Sequence, residues 1–143
     1  EVWIDGVSLK PIDAVAGTFR RDIVEMIAAL QPSFIRLPGG NYLGGHGPRT
    51  RWDWKATLGR PEARRGHYNS AWGYWVTDGM GLYELLLLCK ILGAEPQVSV
   101  YTGYSMGGSY PDASEPARFV RDALDLLEFA NGDAHASSFG RAR

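Results

Sequence analysis

Two short apolar runs, Ser33 to Leu37 and Pro96 to Tyr101, each end in a stretch dense in glycine and tyrosine, and each follows an amphipathic helical run. A chain that alternates in this way builds a parallel sheet, because each helix carries the chain back to start the next strand in the same direction. The first helix is expected from about Phe19 to Leu30, capped by Thr18, with Phe19, Ile23, Met26, Ile27 and Leu30 on one face and Pro32 ending it. The second is expected from Gly79 to Leu92, capped by Asp78, with Leu82, Leu85, Leu86 and Cys89 inward and Gly93 closing it in a left-handed turn. A third, capped by Ser114 with Glu115 and Pro116 in its first turn, places Phe119, Ala123, Leu126, Leu127 and Ala130 on one face and stops at Asn131-Gly132. Ahead of these, EVWIDGVSL alternates as a strand, and Lys10-Pro11 ends it.

Few parallel strands cannot close a core, and an open edge is left over. A (β/α)8 barrel takes about 250 residues, so the pattern reads as part of one; a small three-layer sandwich also fits. In either fold, ligands gather beyond the carboxyl ends of the strands. Those ends are LPGGNYLGG and YTGYSMGGSY. Between Pro38 and Thr77 runs a long connection rich in Gly, Arg and Trp, with at most short helical pieces. Connections of that length are often functional.

A net charge of -1 gives no electrostatic reason to expect nucleic acid or an anionic membrane as partner. The basic residues between Arg49 and Arg65 are diluted by Asp53 and Glu62 and read as a solvated loop rather than a phosphate-binding patch. The single cysteine, Cys89, excludes an internal disulfide and reads as a buried thiol. His46, His67 and His135 are too scattered for a metal pattern. No signal peptide is visible, and no apolar run is long enough to span a bilayer.

Three constellations invite a chemical reading. Arg36 lies inside an apolar strand, where an unpaired guanidinium is very unfavourable, so a carboxylate partner is expected nearby. It either holds an active-site carboxylate or forms a structural ion pair or strand-end contact with water. Gly39-Gly40-Asn41 allows close backbone approach by a ligand and presents an amide suited to sugar hydroxyls; a plain turn is the alternative. A phosphate loop is disfavoured, since GxxxxGK[ST] is absent and no helix is expected directly after it. The tryptophans of WDW (Trp52, Trp54) and AWGYW (Trp72, Trp75) either stack on sugar or pack the loop onto the body of the fold. Glycoside hydrolysis needs two carboxylates, about 5 Å apart for retention. The strand ends carry none; Asp53, Asp78 and Asp112 lie in loops, and there is no serine triad.

Taken together, PSFIRLPGGNYLGG, RWDWKATLG, RRGHYNSAWGYWVTDGMGLYE, LGAEPQVSVYTGYS and EFANGDA resemble, in order and spacing over almost the whole chain, the α-L-arabinofuranosidases of glycoside hydrolase family 51. The resemblance implies a (β/α)8 barrel with catalytic glutamates at the ends of strands four and seven, and retaining release of terminal α-L-arabinofuranosyl groups from arabinoxylan and arabinan. It implies no metal or organic cofactor, and an extracellular or periplasmic setting. On that map residues 1–11 are the last strand of a β-sandwich. Residues 12–143 are part of the barrel, with strand two and its loop at Phe34 to Asn41 and strand three at Gln97 to Gly103. Both catalytic glutamates lie beyond this chain, which alone is expected to be inactive. Arg36 matches an arginine supporting the nucleophile, Asn41 an arabinose-binding asparagine, and Trp72 a tryptophan near the cleft. Other family 51 activities (endoglucanase, xylosidase) and a non-catalytic sugar-binding protein on the same fold stay open. Gly44 stands where longer relatives commonly have Glu, and Arg65 where they commonly have Pro.

Overall fold

The computed structural model describes residues 2–4, 7, 9–108 and 116–139. The elements are α1 (Arg21–Ala29), β1 (Phe34–Leu37), α2 (Gly40–Gly44), β2 (His67–Asn69), β3 (Tyr74–Val76), α3 (Leu82–Leu92), β4 (Glu95–Val98) and α4 (Pro116–Asn131). Three 3-10 turns, Pro48–Thr50, Trp54–Thr57 and Pro61–Ala63, punctuate the long connection.

β1 and β4 pair in parallel, with Phe34 opposite Glu95 and Leu37 opposite Val98. The Glu95 N–H donates to Ser33 O at 3.0 Å and the Ser99 N–H to Leu37 O at 2.6 Å. Donors facing β1 alternate, so Pro96 falls where no N–H toward β1 is needed. The strand therefore begins one residue before Pro96 and ends at Val98, short of the expected Tyr101. Only one face of the pair is covered. Leu37 is buried and Ile35 and Val98 half-buried, while Phe34, Arg36, Glu95 and Gln97 are exposed. Arg36 is thus not a buried cation among the described residues.

α1 starts at Arg21, later than expected, and Thr18 does not cap it. Val15 and Phe19 exchange backbone hydrogen bonds of 2.8 and 3.0 Å across a turn in which Ala16 and Gly17 have left-handed φ of 51° and 65°. Phe19 is buried there, outside the helix, and no longer sets its inner face. Val24 is the buried residue of α1, while Ile23, Met26 and Leu30 are exposed.

α3 starts at Leu82, not Gly79, and Asp78 is not its cap. Glu84 reaches back to accept the Gly81 N–H at 2.8 Å, and Thr57 Oγ1 accepts the Leu82 N–H at 3.0 Å. These satisfy donors that a helix start leaves open. The inward face is the expected one, with Leu82 and Cys89 buried and Leu85 and Leu86 packed on the core. Burial pushes the Cys89 thiol pKa up. Gly93 closes the helix at φ 66°.

In α4, Phe119 and Leu126 are buried as expected, but Leu127 is exposed and Phe129 takes its place inside. Positions 119, 122, 126 and 129 form one helical stripe. Its second member is Asp122, whose charge disguises the stripe in the sequence. The expected Ser114 cap lies outside the described residues. The core gathers Trp52, Trp54, Leu82, Leu126 and Phe129, so the WDW tryptophans pack the long connection onto the helices. That connection also holds an antiparallel hairpin, β2 against β3, with Tyr68 opposite Trp75. Nor is its basic segment a solvated loop throughout. Arg51 and Arg64 are buried in ion pairs with Asp122 and Glu84, and Lys55 pairs with Asp122 at 2.7 Å and with Asp125.

Of residues 1–11, the described Val2, Ile4, Val7 and Leu9 are exposed and join no strand. A lone strand has no ladder partner to hold it.

Candidate functional site

The parallel register sets the carboxyl ends of β1 and β4 side by side, and their loops interlock. The Met106 N–H donates to Gly45 O at 2.8 Å. Ser105 Oγ, fully buried, donates to Gly44 O at 2.9 Å and lies 2.9 Å from the Tyr101 hydroxyl. Gly44 packs closely here: a Cβ would stand 3.2 Å from Tyr104 O, and a larger residue would need the facing loop to give by a few tenths of an ångström. Gly45 has φ 56°, and a Cβ would stand 2.3 Å from Thr50 O, so no larger residue fits without displacing backbone.

The Gly39-Gly40 pair behaves differently. Gly39 is extended at φ -68°, and Gly40 opens α2, which follows the strand directly, contrary to the expectation of no helix there. A Cβ at either glycine would meet nothing within 4 Å, so the space above both is open. Arg36, Gly39, Gly40, Asn41 and Trp72 line one open depression of about 340 Å3. The three residues singled out in the sequence thus stand around a single space. Arg36 reaches it from the uncovered face of β1, Asn41 from the first turn of α2, and Trp72 from the turn between β2 and β3. Among the described residues no carboxylate lines this depression, and Arg36 has no ion-pair partner. Asp53 is used elsewhere, accepting the Lys55 N–H that starts a 3-10 turn, and Asp112 lies outside the described residues.

Trp72 is exposed, yet its backbone is fixed. Asn69, buried on β2, accepts the N–H groups of Ala71 and Trp72 on Oδ1 at 3.1 and 3.2 Å. Behind it sits a pair that sequence reasoning missed. His67 Nδ1 lies 3.1 Å from Asp78 Oδ2 in hydrogen-bond geometry and 2.9 Å from Oδ1. Asp78 is buried with a left-handed φ of 56°, a conformation Asp tolerates better than most residues. Its carbonyl accepts Arg64 Nη1 at 2.7 Å, and Arg64 also donates to both oxygens of Glu84 at 2.8 and 2.9 Å. Burial alone would raise the Glu84 carboxyl pKa; the hydrogen bonds from Arg64 and backbone N–H groups outweigh it and hold the carboxyl below its usual range. Tyr42, next to Asn41, sets its ring edge-on to His67 with centroids 5.4 Å apart. Burial, with the nearby Asp78 and Tyr74, pushes the Tyr42 hydroxyl up to about 12. Nothing in the sequence marks this cluster, since Asp78 reads equally well as a helix cap.

Residues 26–143 match the family model described as the alpha-L-arabinofuranosidase 1 domain. The chain is 40% identical over 146 residues to alpha-L-arabinofuranosidase 1 of Arabidopsis thaliana, covering 99% of this chain and 21% of that protein. It is 37% identical over 126 residues to a probable alpha-L-arabinofuranosidase A of Aspergillus terreus, covering 85% of this chain and 19% of that one. The fold superposes on the solved structure of an arabinose-bound MgGH51 α-L-arabinofuranosidase with a TM-score of 0.83 at 40% identity, over 90% of this chain and 20% of that one. The chain therefore spans about a fifth of the length of the relatives it matches.

Proposed function

The chain belongs to the alpha-L-arabinofuranosidase 1 domain family, and from that premise we propose that it is part of a longer retaining α-L-arabinofuranosidase. In this reading β1 and β4 are the second and third strands of a (β/α)8 barrel, and residues 1–11 are the last strand of a preceding β-sandwich. The uncovered face bearing Arg36 then turns to the barrel interior, where the remaining strands would close over it. The substrate is the terminal α-L-arabinofuranosyl group of arabinoxylan, arabinan and related polymers.

The observation that carries the reading is the depression shared by Arg36, Asn41 and Trp72 at a strand's carboxyl end, the end where barrel enzymes place their chemistry. Retention needs a carboxylate nucleophile and a carboxylic acid/base about 5 Å apart, acting through an oxocarbenium-like transition state. Both are assigned to chain beyond these residues. The Arg36 guanidinium would keep the nucleophile ionised and oriented. The Asn41 amide can both donate to and accept from ring hydroxyls, and Trp72 offers a flat apolar wall. No step calls for a metal or an organic cofactor.

The test compares the longer protein on an aryl α-L-arabinofuranoside, xylan and glucan. Preference for the arabinofuranoside is expected, and preference for either polymer backbone assigns another family 51 activity. Failure on all three favours a sugar-binding protein. Asn41→Ala is expected to lower kcat/KM about 10- to 100-fold, the loss of one or two transition-state hydrogen bonds. Unchanged kcat/KM would return Gly39-Gly40-Asn41 to a plain turn. The 143 residues alone are expected not to hydrolyse the aryl substrate.

A further inference from the structure

We propose that Asp78 and His67 are positioning residues that hold Trp72 at a fixed place across the depression from Asn41. The proposal rests on the reading that this depression takes the arabinofuranosyl group. Trp72 sits on a hairpin whose strands are three residues each, too short to be rigid alone. Something must fasten it to the body of the fold. The Ser70 hydroxyl accepts the His46 N–H and donates to Thr50 Oγ1, each at 2.9 Å, and a second fastening runs through a chain of contacts.

It begins at the start of α3. Arg64, with its side chain only 2% exposed, is held by both oxygens of Glu84 and by Gly59 O, and it grips the Asp78 carbonyl. Asp78 is thereby kept in its left-handed conformation, one that persists in a non-glycine residue when its surroundings over-determine it. That conformation turns the carboxylate onto His67 Nδ1. His67 and Asn69 are two apart on β2 and so share a face. Asn69 in turn accepts the Ala71 and Trp72 N–H groups. On its other side, His67 meets the ring of Tyr42, which adjoins Asn41 in α2. His67 therefore ties the hairpin that carries Trp72 to the segment that carries Asn41, and neither it nor Asp78 lines the depression. They act through their neighbours.

The experiment uses the longer enzyme. Asp78→Gly keeps the left-handed backbone and removes the carboxylate; Asp78→Asn keeps an oxygen that accepts from Nδ1–H. Asp78→Gly is expected to lower kcat/KM on an aryl arabinofuranoside on the order of 10- to 100-fold, as a displaced contact does. Asp78→Asn should restore activity to within about threefold. In a Trp72→Ala background the Asp78→Gly loss should shrink to less than about threefold, because residues linked through one network couple while independent ones add. Hydrogen exchange of the segment 67–76 gives a second readout independent of activity. The Ala71 and Trp72 amides should exchange at least about tenfold faster in Asp78→Gly, and at the parent rate in Asp78→Asn. Equal kinetic losses with and without Trp72, or unchanged exchange at 71–72, would overturn the proposal. If Trp72→Ala and Asn41→Ala both leave kcat/KM unchanged, the reading of the depression falls, and the exchange result still decides whether Asp78 holds the hairpin. Should Asp78→Gly fail to fold, His67→Phe, which keeps a ring against Tyr42 and drops Nδ1, carries the same expectations.

Discussion

Replacing Arg64 with Met should destabilise the protein by about 3–5 kcal/mol, the cost of leaving one partner of a buried ion pair behind. The magnitude follows from what the guanidinium touches. Its side chain is 2% exposed and that of Glu84 8%. It makes five hydrogen bonds: two to Gly59 O, one to Asp78 O and one to each Glu84 oxygen. Met fills much of the same volume and donates nothing. Glu84 would be left charged and buried, with only the Gly81 N–H among these partners, and two carbonyls would lose their donor. Adding Glu84→Gln to Arg64→Met should recover about 1–3 kcal/mol. Gln removes the stranded charge and keeps an oxygen for Gly81, while Gly59 O and Asp78 O stay unpaired. Urea unfolding of the longer protein, with ΔΔG taken from midpoints at a common slope, reads both values. A loss below about 1 kcal/mol for Arg64→Met, or a double variant costing the sum of the singles, would refute the reasoning.

The same pair predicts an acid response. A carboxyl held below its ordinary value of 4.5 contributes stability that is present above that pH and lost as pH falls through the depressed folded value. Between pH 5 and acid, the urea midpoint should therefore fall less steeply in Glu84→Gln than in the parent, and parallel curves would count against the assignment. Thr57→Val keeps the shape of a fully buried side chain but removes the acceptor for the Leu82 N–H and the donor to Trp54 O. A loss of about 1–3 kcal/mol is expected, with Thr57→Ser much milder; a neutral Thr57→Val would show that the start of α3 does not depend on it.

Much of the framework could be read from local pattern. The parallel pair follows from apolar runs separated by helices, the end of α3 from Gly93, and its inner face from Leu82 and Cys89 at helical spacing. Packing of Trp52 and Trp54 was one of two open readings, and burial decides it. What the sequence hid depends on partners far along the chain. Phe19 looks helical until Val15 pairs with it across a left-handed turn. Leu127 looks internal until Asp122, neutralised by Arg51 and Lys55, turns the stripe toward Phe129. Asp78 looks like a cap because the true cap comes from Glu84 and from Thr57, whose hydroxyl is brought in by the fold. At the candidate site, Arg36, Asn41 and Trp72 were visible as residue types at a strand end or in its loops. Their convergence on one depression needed the hairpin, and its short aromatic strands gave too brief an alternation to stand out. Arg36 is the instructive case: an apolar strand suggested a buried cation, yet it lies on an uncovered face.

A crystal structure of the longer protein with L-arabinose bound would show directly whether Arg36 and Asn41 hold the sugar and its nucleophile. The ring is expected in the depression, with a hydroxyl within hydrogen-bond distance of the Asn41 amide. A carboxylate from outside these 143 residues is expected against the Arg36 guanidinium. Arabinose bound away from Asn41, or Arg36 extended into solvent in that complex, would contradict these roles.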